Sequence, residues 1–150
     1  MSVESNLYKL GLILPPVPSA IATYIPVKKL GNLIYTSGQI PFKEGKIVNQ
    51  GKVGKELSIE KAGEALEICC LNALSAIQTV VELSEIKNIS KITIFVASDP
   101  EFYEHHLVAN YASNLLISIF EDKGKHTRSA LGVSSLPLNA CVELELIVET

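Results

Sequence analysis

The sequence predicts an α+β domain, a mixed β-sheet with two helices packed on one of its faces. Three observations predict it. Ile59, Ala62, Leu66, Cys69/Cys70, Ala73, Ile77 and Val80 recur every three or four residues, the apolar stripe of a helix over 59–84. ACVELELIV (140–148) alternates, with Ala140, Val142, Leu144, Leu146 and Val148 on one side and Cys141, Glu143, Glu145 and Ile147 on the other. Strand and helix patterns follow one another as ββ(β)αβαββ, with no internal repeat.

Taken in order, residues 1–18 read as a lead-in, extended around the prolines of Leu12-Ile13-Leu14-Pro15-Pro16-Val17-Pro18, and 19–150 as one domain. IATYIPVKKL (21–30) and NLIYTSGQI (32–40) read as strands joined by a turn at Gly31-Asn32. Pro26 puts the first of them at an edge or a bulge. The polar stretch 42–56 holds a short strand at 46–48. Ser58 is a helix N-cap, with Glu60 near the positive helix end. SKITIFVA (90–97) is rich in β-branched and aromatic residues, which suits a strand. Asp99-Pro100 opens a second helix with Leu107, Tyr111, Leu115 and Ile119 on one face, closed by Lys123-Gly124-Lys125. Segments 127–134 and 140–148 complete the sheet. Its second face is half charged and half apolar, too greasy for solvent and too charged for a core. Such a face marks a subunit interface with a wet site in it.

Composition narrows the function. At 47% hydrophobic and 19% charged residues, a disordered chain is excluded. A formal net charge of −3 and the lack of a Lys/Arg run weigh against a nucleic-acid partner. Cys69, Cys70 and Cys141 are odd in number and two are adjacent, a poor disulfide framework, so they read as small buried hydrophobes in a reducing compartment. No signal segment and no long apolar span is present, so the expectation is a cytoplasmic protein without a membrane partner. Glu101 and His105 share a helical face, but His106 points elsewhere and no third ligand follows by spacing; no metal is expected. No serine elbow, P-loop or dinucleotide fingerprint occurs.

The segment KHTRSALGV (125–133) is the unusual one. His126, Arg128, Ala130 and Gly132 share one side of a strand, and the small residues after Arg128 leave room around its guanidinium. Two uses are open to that group: a cross-strand ion pair with Glu143 or Glu145, or a bidentate grip on a ligand carboxylate. Gly38, at the end of the second strand, permits close approach of a ligand to the backbone.

SAIATYIPVKKLGNLIYTSGQIP (19–41) together with TRSALGVSSLPLNACVELELIV (127–148) closely resembles the RidA/YjgF family of reactive-intermediate deaminases. The resemblance implies a chorismate-mutase-like fold and a homotrimer whose sheets surround a central barrel, with ligand clefts between subunits. It implies cofactor-free hydrolysis of enamines and imines such as 2-aminoacrylate and 2-iminobutyrate to 2-keto acids and ammonia. On this resemblance Arg128 binds the carboxylate, Tyr24 lines the cleft, Gly38 offers its backbone with Ser37 beside it, and Glu143 positions or activates water. Ala130 stands where many members have a cysteine, and Ala22-Thr23 where Gly-Pro is common; these departures place the chain in a divergent branch. There His126 is either a second cation-capable group beside Arg128 or an exposed loop histidine, and Asn110 reaches toward the cleft. Two other readings come with the family: an endoribonuclease that inhibits translation, and a non-catalytic trimer that binds small carboxylates.

Overall fold

The alternating segment near the C-terminus becomes the middle strand of the sheet. In the computed structural model, which describes residues 1–17 and 23–150, five strands form this sheet: β1 (Val27–Leu30), β2 (Leu33–Thr36), β5 (Asn88–Ala97), β6 (Thr127–Val133) and β7 (Val142–Glu149). Their order is β1-β2-β7-β5-β6. All neighbours are antiparallel except β5 and β6, which are parallel. The short strands β3 (Phe42–Lys43) and β4 (Lys46–Ile47) pair as a separate hairpin. The helices are α1 (Val3–Lys9), α2 (Ile59–Gln78) and α3 (His105–Phe120).

Period-2 burial follows the sequence pattern. Val142, Leu144, Leu146 and Val148 of β7 are buried beside Ile92, Ile94 and Val96 of β5, while Glu143, Glu145 and Ile147 are only half-buried. α2 and α3 cover the buried side, giving the mixed sheet with helices on one face. The N-cap of α2 forms as its sequence dictates: the Ser58 hydroxyl accepts from the Lys61 N–H at 3.2 Å. Gly31 turns the β1–β2 hairpin at a φ of 61°, a left-handed conformation that glycine adopts without strain. All three cysteines are free and buried.

Several elements differ from the sequence reading. The lead-in contains α1, whose buried Asn6 donates to the Ile119 carbonyl at 2.9 Å and so docks the segment on α3. The first strand is shorter than 21–30; residues 21 and 22 lie outside the described residues, and strand pairing begins at Val27. α2 ends at Gln78 and leaves Val80 exposed. α3 starts at His105 rather than at Pro100, because Asp99 first accepts the Glu101 N–H in a side-chain turn. Its buried stripe is Val108, Ala112, Leu116 and Ile119, one residue off the stripe expected. Tyr111 instead faces α2, where its ring fills the place a side chain on Gly63 would take.

The Gly63–Tyr111 contact generates a prediction of sign. Glycine-to-alanine in a helix interior normally stabilises by about 1 kcal/mol. Here the added methyl overlaps the Tyr111 ring, an overpacking worth about 1–3 kcal/mol. Gly63→Ala is expected to lower the urea midpoint in the native chain and to raise it in a Tyr111→Ala background. The same sign in both backgrounds would show that the ring does not set the helix spacing.

Candidate functional site

The candidate residues gather in two places, on opposite sides of the sheet. The first begins at a bulge. β2 pairs with β7 through Tyr35–Ile147, and contact resumes at Gln39–Leu144. Four residues are thus spent on one strand against three on the other. At the break the Thr36 hydroxyl accepts the Leu146 N–H at 2.9 Å in place of a backbone carbonyl. The extra residue carries Gly38 over the Glu143 carboxylate, so closely that a Cβ on Gly38 would overlap it. Asn72 of α2 holds the outgoing chain by donating to the carbonyls of Ile40 and Phe42 at 3.2 and 3.0 Å. Ser37 turns its hydroxyl inward, donating to the Ile25 carbonyl at 2.6 Å. Tyr24, next to Ile25, is exposed.

Glu143 lies on the uncovered face. Burial, and then the Glu145 carboxylate two positions along, push its carboxyl above the ordinary 4.5. A carboxylate displaced upward is a better proton acceptor near neutrality than an ordinary one.

The second place is the outer edge of β6, next to α3. Arg128 is the single arginine of the sequence. Its Nη1 donates to Asn110 Oδ1 at 3.0 Å and to Ser113 Oγ at 3.1 Å; Nη2 reaches the His106 carbonyl at 3.5 Å. Ser113 also meets His126 Nε2 at 2.9 Å, and His126 Nδ1 meets the Gly124 carbonyl at 2.6 Å. The ion pairs among the described residues are Met1–Glu121, Lys61–Glu64 and Lys125–Asp122, and Arg128 belongs to none of them.

The cross-strand ion pair with Glu143 or Glu145 is therefore overturned. β5 lies between β6 and β7, and Arg128 pairs with Ile92, on the helix-facing side. Glu143 pairs with Phe95, on the other side and three positions further along β5. The room expected beside Arg128 is also taken. Ala130 packs against the core, and the space a side chain on Gly132 would need is held by His105, whose Nε2 meets Ser98 Oγ at 3.1 Å. His126 has both ring nitrogens engaged within the chain, which removes it as a direct ligand contact.

Ser113 was not legible as a site residue, although a signal existed. His106, Asn110 and Ser113 follow at spacings of four and three, a polar stripe beside the buried one. An open groove of about 530 Å³, lined by Lys29, Asn32, Glu85 and Lys87 among others, lies at the far end of β7 from Glu143 and holds none of these residues.

Comparison with known proteins places this geometry. Residues 4–150 match the family described as "YjgF/chorismate mutase-like, putative endoribonuclease". The chain belongs to the YjgF/RidA family. The protein Atu1372 of Agrobacterium tumefaciens is 43% identical, with a TM-score of 0.91 over 98% of this chain and 92% of that one. A structure titled "putative endoribonuclease" from Shewanella oneidensis is 32% identical, with a TM-score of 0.96 over the whole of both chains. Protein TCP17 of Trypanosoma cruzi is 35% identical over 98% of this chain and 93% of its own length. The fold is accordingly the YjgF/chorismate-mutase-like one.

The raised Glu143 carboxyl predicts a pH dependence. An acid whose value is higher in the folded state holds its proton more tightly there. Its favourable contribution is complete below the unfolded value near 4.5 and is lost as pH climbs through the raised one. Ionised Glu143 thus opposes folding at neutral pH. Glu143→Gln is expected to be more stable than the native chain in urea at pH 7, with the difference closing below about pH 4. A variant less stable than the native chain at pH 7 would contradict the assigned cause.

Proposed function

We propose that the chain is a cofactor-free deaminase that hydrolyses small 2-imino acids, such as 2-iminobutyrate and the imine form of 2-aminoacrylate, to 2-keto acids and ammonia. The observation that supports this reading is the state of Arg128. It is an exposed guanidinium, in no ion pair, held by two neutral side-chain oxygens on Nη1 and by one long carbonyl contact on Nη2. A group so placed retains its charge and part of its planar fork for an incoming carboxylate.

In this reading two copies complete the site. Arg128 and Glu143 stand on opposite sides of one chain, so one copy's arginine would face another's Gly38 and Glu143 across a cleft. The uncovered sheet face carries Leu30, Tyr35 and Leu131 exposed and Phe95 and Ile147 half-buried, enough apolar surface to favour association. A homotrimer with the sheets lining a barrel is the arrangement we propose. Tyr24 then lines the cleft and Ser37 fixes its wall, while Ala130 backs Arg128 rather than touching ligand.

The chemistry asks little of the protein. Arg128 holds the carboxylate, which fixes the adjacent C=N carbon. Glu143 accepts a proton as water adds to that carbon; the C–O bond forms and the C=N electron pair moves to nitrogen. Glu143 returns that proton to nitrogen and then takes the hydroxyl proton as the C=O forms; the C–N bond breaks, ammonia leaves, and the carboxyl gives its proton to solvent. A 2-aminoacrylate ligand first takes a proton at its terminal carbon to become the imine. No step needs an electron sink, and so no cofactor.

The endoribonuclease reading rests on the names of relatives. Acid–base cleavage of RNA calls on a pair of histidines, yet His105 has its Nε2 on Ser98 and His126 has neither nitrogen free, which leaves the exposed His106 without a second free imidazole. A binding-only trimer would share the Arg128 site and differ in turnover alone. The free, buried thiols suit a reducing, cytoplasmic setting. No helix among the described residues is long and apolar enough to cross a membrane.

Turnover of freshly generated 2-iminobutyrate, read with a semicarbazide trap, tests the reading. Losing two charge-assisted hydrogen bonds should lower kcat/KM of Arg128→Ala by about 10²–10⁴-fold, with the fold intact by circular dichroism. Arg128→Lys should also be severe, since an ammonium has no planar fork. Refolding Arg128→Ala with Glu143→Gln in equal amounts should restore about a quarter of the sites, because mixed copies supply both residues. Full activity in Arg128→Ala would remove the deaminase assignment, and no recovery on mixing would remove the shared cleft.

A further inference from the structure

The hydrogen bonds around Arg128 have a direction. The Gly124 carbonyl can only accept, so His126 Nδ1, at 2.6 Å from it, carries the proton. In the neutral ring Nε2 is then an acceptor, and the partner at 2.9 Å is the Ser113 hydroxyl. A serine inside a helix ordinarily donates back to the carbonyl one turn earlier. Here the imidazole takes that proton instead and turns the serine lone pairs toward Arg128 Nη1, at 3.1 Å. Asn110 Oδ1 takes the other Nη1 hydrogen at 3.0 Å.

Nη1 is thereby saturated. A guanidinium can meet a carboxylate through its Nη1–Nη2 end or through its Nε–Nη2 side, and the end is no longer available. On the other side Nη2 has one long contact, to the His106 carbonyl at 3.5 Å, and Nε has no partner among the described residues.

We propose that Ser113, set by His126 and assisted by Asn110, is a positioning residue that locks Arg128 so that only its Nε–Nη2 edge meets the ligand carboxylate. This rests on the reading of Arg128 as the carboxylate site. The lock fixes the plane in which the carboxylate lies, and hence the direction of the carbon that water attacks. Both acceptors are neutral, so the guanidinium keeps its full charge for the ligand.

The single arginine makes the test direct. Nitrogen NMR of the side chain in the ligand-free protein sees one guanidinium, without assignment. Separate Nη1 and Nη2 signals, from slowed rotation, are expected in the native chain; Ser113→Ala should merge them, and Ser113→Thr, which keeps the hydroxyl, should restore them. The Kd for 2-ketobutyrate by calorimetry should rise about ten-fold in Ser113→Ala. In an Arg128→Lys background the same substitution should change Kd by less than about two-fold, since no fork remains to be set. Signals that stay separate in Ser113→Ala, or an unchanged Kd, would overturn the proposal. Signals that merge as expected, in a protein with no affinity for 2-ketobutyrate, would refute the carboxylate site while leaving the lock in place.

Discussion

The parallel pairing of β5 with β6 is the constraint on which the site depends. It makes β5 an intervening strand, so that β6 and β7 never touch. Two consequences follow from register alone. Arg128 opposite Ile92 inherits the helix-facing side, and Glu143 opposite Phe95 inherits the bare one. Between Ile92 and Phe95 the pairing of β5 is regular and its residues alternate sides, so no rotamer change brings the two together within one chain. A chain that uses both must borrow one from a neighbour. The half-apolar bare face gives such a neighbour a place to sit.

A second constraint acts on the bulge between Tyr35 and Gln39. A regular ladder there would present a side chain over Glu143 and a carbonyl to Leu146. The Thr36 hydroxyl stands in for that carbonyl, and the missing side chain of Gly38 lets the Glu143 carboxylate lie against the backbone. The close approach of the Glu143 carboxylate to the Gly38 backbone thus arises from that one extra residue.

Much of this was legible in the sequence, and the failures have physical reasons. β7 and α2 were readable because burial on one side writes a clean period into the residues. α3 misled by one position. It carries apolar residues on most of its circumference, since it touches the sheet through Leu116 and α2 through Tyr111, and two contact faces blur one period. α1 was hidden because its hold on the fold is short, Val3 and Leu7 against the core with a buried asparagine between them. At the site, Arg128, Gly38 and Glu143 were legible as residues. Their separation was not, because strand order is decided by which strands meet after α3 has crossed over, and spacing along the chain does not encode it. Ser113 escaped because its role appears only when β6 lies against α3.

The choice of partners for Arg128 then becomes intelligible. A carboxylate beside it at about 4 Å, at the effective dielectric near a protein surface, would interact by about 4 kcal/mol. A ligand carboxylate would have to displace that partner or share the charge with it. Serine and asparagine oxygens give orientation without that competition, since each neutral acceptor contributes roughly a kilocalorie and leaves the net charge intact. The nearest acidic side chains in sequence show the same economy: Asp122 is committed to Lys125 and Glu121 to the chain's amino terminus. The β6 edge therefore holds an arginine whose geometry is set by neighbours and whose charge is not, the combination that the proposed grip on a carboxylate requires.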